Sequence, residues 1–187
     1  MRSRYLIKPL LTTLSAFFAL AFGILLVIPH PAFAASINIV AIGDSNIAGK
    51  GVGSSENYPS KLERALRAKG YDVHVANEGI NGDTVPGVAS RLDGAVPSGT
   101  KLAIVWVGIN DLRKGASVAQ VERGRQAIAA KLRARGIRVL LLGPRHGLAG
   151  QPKYLTGDQQ QHLNPAGYDV IVARTIGRVQ ALIGGKH

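Results

Sequence analysis

Ile37-Asn38-Ile39-Val40-Ala41-Ile42-Gly43-Asp44-Ser45 is the stretch that decides how this chain folds. An apolar, largely β-branched run that breaks at a glycine and short polar residues predicts a buried strand running into a tight turn. In an open α/β sheet such a turn lies at the carboxyl edge of the strands, where ligands are held. A hydroxyl delivered there is placed for chemistry, which makes Ser45 a candidate nucleophile. Gly-Asp-Ser taken alone is ordinary turn chemistry, so the rest of the chain has to supply its partners.

Toward the carboxyl terminus, helical and strand patterns alternate. Tyr58 to Lys69 places Leu62, Ala65 and Leu66 at helical spacing, with Asn57 as cap and Pro59 in the first turn. Tyr71 to Ala76 alternates as a half-buried strand with His74 on its polar side. Asn77 to Thr84 reads as a loop whose glycines let backbone N–H groups approach a ligand, and Thr84 caps a short helix through Leu92. Lys101 to Val107 is apolar almost throughout, as expected of a strand covered on both faces, and stops at Gly108-Ile109-Asn110-Asp111. Ser117 to Arg135 is the next helix, with Val118, Val121, Ile128 and Leu132 on its apolar stripe, and Ile137 to Leu142 the fourth strand. After a loop from Gly143 to Gln161, His162-Leu163-Asn164-Pro165 leads into a final helix, Ala166 to Ile183, with Asn164 as cap. This order predicts an α/β fold: a three-layer, flavodoxin-like sandwich with a short, mainly parallel sheet of about four strands and helices on both faces.

Residues 1–34 are of different material. Arg2, Arg4 and Lys8 precede an uncharged apolar run, and Pro29, Pro31 and Ala32-Phe33-Ala34 follow it. Positive start, apolar middle and small-x-small end are the pattern of a secretory signal peptide cleaved after Ala34. The run is also long enough to serve as an uncleaved anchor, since about 20 apolar residues cross a bilayer. Either way the remainder, residues 35–187, reads as one exported domain, periplasmic or secreted, with no stable membrane insertion once the leader is removed.

The chain carries 23 Lys+Arg against 11 Asp+Glu, a formal charge of +12. Such a balance steers anionic partners. Here the positives are dispersed along helices without interleaved aromatic residues, which argues against nucleic acid. Cysteine is absent, so there is no disulfide, thiolate nucleophile or cysteine-based metal site. No His-Glu-x-x-His or comparable spacing offers a metal site either, and no cofactor is implied.

A hydroxyl, an imidazole and oxyanion donors are what a serine hydrolase needs. Four short blocks at the expected element ends supply them: Gly43-Asp44-Ser45, Asn81-Gly82-Asp83-Thr84, Gly108-Ile109-Asn110-Asp111, and His162-Leu163-Asn164-Pro165-Ala166-Gly167-Tyr168. In these blocks and their order the chain resembles the SGNH/GDSL hydrolase family, over nearly all of Ile37 to Ile183. The resemblance implies Ser45 as nucleophile, His162 as its base, and an oxyanion hole made by the backbone N–H groups of Ser45 and Gly82 with the Asn110 side-chain amide. It implies a small-molecule or polymer-borne ester as substrate. Asp44 and Asp111 read as structural, each fixing a turn.

Two departures matter. The family's last block is Asp-x-x-His, but Gln159 stands three residues before His162 and the acid, Asp158, four before. A turn over 158–162 would bring Asp158 to the imidazole, and the need for a charge there favours Asp158 over Gln159 as third member. The segment between Gly143 and His162 is also short. The helix and strand that family members often place there are missing, which predicts a shallow site suited to short acyl groups.

Other readings are weaker. Gly43 to Gly51 has the wrong spacing for a phosphate loop and lacks its Ser or Thr, and Ile47 stands where a lipase elbow needs a second glycine. His146, the rival base, has no motif around it. An exported binding protein on this fold, and an acyltransferase using the same groups, are the alternatives to a short-chain or aryl ester hydrolase working through an acyl-enzyme.

Overall fold

A computed structural model describes residues 36–159 and 161–184. The leader expected over residues 1–34 lies outside them.

Four strands form one sheet: β1 (Ile37–Gly43), β2 (Val73–Gly79), β3 (Leu102–Trp106) and β4 (Arg138–Leu141). Their order is β2-β1-β3-β4, and every pairing is parallel. The helices are α1 (Ser45–Ala48), α2 (Tyr58–Ala68), α3 (Val85–Ala95), α4 (Ile109–Arg113), α5 (Val118–Ala134) and α6 (Pro165–Ile183). A 3-10 turn at Pro152–Tyr154 and an isolated antiparallel bridge between Leu155 and Leu163 are the regular features of the segment after β4.

Side chains of a strand alternate between faces, and β1 shows what that means here. Ile39 and Ala41 pack with Leu62 and Leu66 of α2 and Tyr168 and Val179 of α6. Val40 and Ile42 turn the other way, onto Val88 and Leu92 of α3 and Ile128 and Leu132 of α5. The sheet is thus buried on both sides, the arrangement the unbroken apolar strands foretell. On the first face Tyr58 meets Trp106 edge-on, with ring centroids 5.8 Å apart. The Thr175 hydroxyl donates to the Ile171 carbonyl, which leaves its oxygen to accept from the Tyr58 hydroxyl at 3.0 Å, tying α2 to α6.

Element boundaries differ from expectation in three places. Asn77, Glu78 and Gly79, expected in a loop, extend β2, because parallel pairing with Ala41, Ile42 and Gly43 holds their backbone extended. The turns after β1 and β3 are each one short helix, α1 and α4. On α5, Val118 is exposed. Arg125, four residues beyond Val121, is buried on the stripe instead, its guanidinium donating to the Leu142 carbonyl and to Glu122. The caps Asn57, Thr84 and Asn164 stand where expected, and Ser117, expected inside its helix, caps α5; each accepts from a backbone N–H three residues on.

Candidate active site

The parallel register brings the carboxyl ends of β1, β2 and β3 side by side, with Gly43 opposite both Gly79 and Trp106. Gly43 is required by this closeness: a Cβ there would lie 1.9 Å from the Trp106 carbonyl oxygen. That approach lets the Asp44 N–H donate to the same carbonyl at 3.1 Å and turns the chain into α1. Asp44 caps α1 by accepting from the Asn46 N–H at 3.0 Å and from the Asn46 amide at 3.1 Å. Ser45 is the first residue of the helix, so its own N–H is one of the unpaired helix-start donors.

Asp44 is fully buried, and its Oδ2 has no hydrogen-bond partner among the described residues. Desolvation raises its carboxyl to about 6, against the hydrogen bonds from Asn46 and the charge of Arg113, which pull it down.

His162 reaches Ser45 from the far end of the sequence. Its Nε2 lies 2.9 Å from Ser45 Oγ. Its Nδ1 is hydrogen-bonded to Asp158 Oδ2, and its backbone N–H donates to Asp158 Oδ1 at 2.9 Å. A carboxylate at Nδ1 keeps the proton there and leaves Nε2 to accept from the serine hydroxyl. Although desolvation, the largest influence, acts upward on Asp158, hydrogen bonds from the His162 ring and backbone and from Thr156 outweigh it and hold the carboxyl below its usual value. The acid four residues away reaches the ring through a turn: the Gln161 N–H donates to the Asp158 carbonyl at 3.0 Å, and Gln161 adopts φ 56°.

The expected oxyanion donors sit on adjoining ends. The Ile80 N–H donates to the Gly43 carbonyl and starts the loop that carries Gly82. Gly82 has φ 79°, with open space where a side chain would project. One N–H of the Asn110 amide donates to the Asp83 carbonyl at 2.8 Å, which draws α4 against that loop and leaves the second N–H for another acceptor. Asp111 accepts from the Val85 N–H at 3.0 and 3.2 Å. It therefore fixes the start of α3 rather than its own turn.

His146 is a loop brace. Its Nδ1 accepts from the Leu148 N–H at 3.1 Å, so Nε2 carries the proton and donates to the Gln161 carbonyl at 3.0 Å. Burial holds its imidazole below the ordinary value, the charges of His162 and Arg113 adding to that, and the Gln161 contact opposing it. Arg91 is a residue that sequence reasoning missed. Its guanidinium binds Asp83 Oδ2 and the carbonyls of Gly43 and Glu78, stapling two strand ends to the Gly82 loop. Nothing in its local pattern sets it apart from other helix-surface arginines.

A cavity of about 570 Å³ opens on Ser45 and His162. Most of its remaining wall, including Pro144, Arg145, His146, Gln159 and Gln161, comes from the segment after β4.

Residues 41–166 match the sequence model of the GDSL-like lipase/acylhydrolase family. The esterase TesA of Pseudomonas aeruginosa is 34% identical over 127 residues, a match covering 65% of this chain and 61% of that protein's length. Among solved structures, AlinE4, an SGNH-hydrolase family esterase, superimposes with a TM-score of 0.62 at 28% identity, covering 82% of this chain and all of AlinE4. The crystal structure of TesA gives a TM-score of 0.70 at 24% identity over 78% of this chain and 99% of that one, a likeness of fold.

Proposed function

The chain belongs to the GDSL-like lipase/acylhydrolase family, and from that premise we propose that it is a serine ester hydrolase acting through an acyl-enzyme on Ser45. The observation that carries this reading is the unbroken relay from Ser45 Oγ through the His162 ring to Asp158. In the proposed cycle His162 Nε2 takes the Ser45 proton as Oγ attacks the ester carbonyl, then returns it to the departing alcohol. Water repeats the sequence on the acyl-enzyme, giving the carboxylic acid and free serine. Asp158 holds the tautomer and offsets the imidazolium charge. The N–H groups of Ser45 and Gly82 and the second N–H of Asn110 receive the charge that develops on the carbonyl oxygen.

The substrate is a short-chain acyl or aryl ester, free or borne on a polymer. The short segment after β4, which among its described residues has no helix longer than a 3-10 turn, supports a site without room for a long tail. Turnover of p-nitrophenyl esters from acetate to palmitate tests this. Catalytic efficiency is expected to peak at four carbons or fewer and fall steeply beyond about eight, as each further methylene finds no apolar wall to bury against; a preference for palmitate contradicts it. We read residues 1–34 as a cleaved leader, so that the domain works in the periplasm or outside the cell. Among the described residues no helix is long and apolar enough to cross a membrane.

A further inference from the structure

We propose that the cavity beside Ser45 accepts an anionic group of the substrate, so that the ester carries a carboxylate or phosphate on its acyl or alcohol part. The inference rests on the ester-hydrolase reading and gives it a substrate class. Two arginines line this cavity together with Ser45 and His162: Arg113 from the end of α4 and Arg145 from the segment after β4. Among the described residues that line it there is no aspartate or glutamate. Neither Asp158, whose carboxylate is bonded to the ring and backbone of His162, nor Asp44, whose Oδ1 accepts from Asn46, lines the cavity. Arg145 takes part in none of the ion pairs found among the described residues. The charge of Arg113 is felt at Asp44 and at His146.

The other polar wall groups fit the same guest. His146 offers the arginines no competing acceptor, since its Nδ1 is occupied by the Leu148 N–H and its Nε2 donates to the Gln161 carbonyl. The Gln161 side-chain oxygen accepts from the Gly150 N–H at 3.1 Å, which leaves its amide N–H groups as donors. A concave site lined by two arginines and by no acid among the described residues focuses positive potential. The planar guanidinium fork matches a carboxylate or phosphate.

Esters matched in pairs test this. On the acyl side, p-nitrophenyl hydrogen glutarate is compared with p-nitrophenyl valerate. On the alcohol side, para-acetoxybenzoate and acetoxyphenyl phosphate are each compared with phenyl acetate, all corrected for spontaneous hydrolysis. The readout is the ratio of kcat/KM for the charged ester to that for its neutral partner, within one protein sample, so loss of folded material cancels. At least one ratio is expected to exceed about tenfold at low salt and to shrink at high ionic strength. In the Arg113→Gln/Arg145→Gln double variant that ratio falls toward one. It persists in Arg133→Gln, which removes a charge from the exposed end of α5. Which ester gains tells whether the anion sits on the acyl or the alcohol side, and whether phosphate is preferred to carboxylate. Neutral esters turned over with no anionic preference overturn this inference alone. So does a ratio that survives in the double variant, or one lost equally in Arg133→Gln. No turnover of any ester, with Ser45 unreactive, overturns the ester-hydrolase reading as well.

Discussion

Asp44 precedes the candidate nucleophile in the chain and is fully buried as the cap of α1, and its burial gives the protein a pH signature. Desolvation raises the carboxyl to about 6 from 3.8, so the folded state holds this proton more tightly than the unfolded chain does. The stabilisation is complete below pH of about 3.8 and is given up as pH rises through about 6, in all roughly 3 kcal/mol. Asparagine keeps the cap oxygen and carries no charge. Asp44→Asn is therefore expected to gain on wild type by up to about 3 kcal/mol between pH 4 and pH 7. Urea unfolding at several pH values measures this, and parallel curves for the two proteins would contradict it. Asp158, held below its usual value, acts with the opposite sign: its share is present at neutral pH and lost as the solution is acidified below the ordinary carboxylate range. It is common to both proteins and cancels in the comparison. Ser45, Asn110 and His162 could be picked out of the sequence because each stands in a short block at an element end. Asp158 could only be favoured there, since whether an acid four residues away reaches an imidazole depends on the turn at Gln161, which no pattern announces. Arg91 was invisible, because its work is to bind carbonyls that only folding brings together.

At the scale of elements, the strands and long helices were legible from periodicity and caps. The two helices that carry Ser45 and Asn110 were not. Each is about one turn long, too short for a 3.6-residue repeat to show, and each opens just after a strand end at Gly43-Asp44 or Gly108, residues that read as a turn. The end of β2 was hidden for the opposite reason: Asn77-Glu78-Gly79 is polar and turn-like, and only pairing with β1 makes it a strand. This pairing gives Gly43 its importance. Gly43→Ala drives a methyl group against the Trp106 carbonyl, and we expect a loss of about 3 kcal/mol together with reduced turnover, because Asp44 and Ser45 follow directly. Gly94→Ala, on the exposed face of α3 with nothing within 4 Å of the new Cβ, should instead stabilise by about 0.5–1 kcal/mol. Chemical denaturation of both variants checks the pair. Equal and small effects would mean that the strand ends do not approach as closely as described.

Over the whole molecule, a parallel sheet buried on both faces places the loops from three strands and the approach to α6 at one edge. Residues 117 positions apart in sequence, Ser45 and His162, therefore lie within hydrogen-bonding distance. The chain is strongly cationic, +12 over its full length and still +9 once Arg2, Arg4 and Lys8 of residues 1–34 are set aside, and that charge favours encounter with anionic substrates at low salt. The account depends above all on Ser45 being an activated nucleophile, and covalent labelling by a fluorophosphonate, followed by intact mass and peptide mapping, measures that directly. One adduct is expected in wild type, mapped to Ser45, absent in Ser45→Ala. It should form about a thousandfold or more slowly in Asp158→Asn, where the imidazole loses its negative partner and its fixed tautomer. An adduct that persists in Ser45→Ala, or a wild-type protein that turns over esters while Ser45 stays unlabelled, would contradict it.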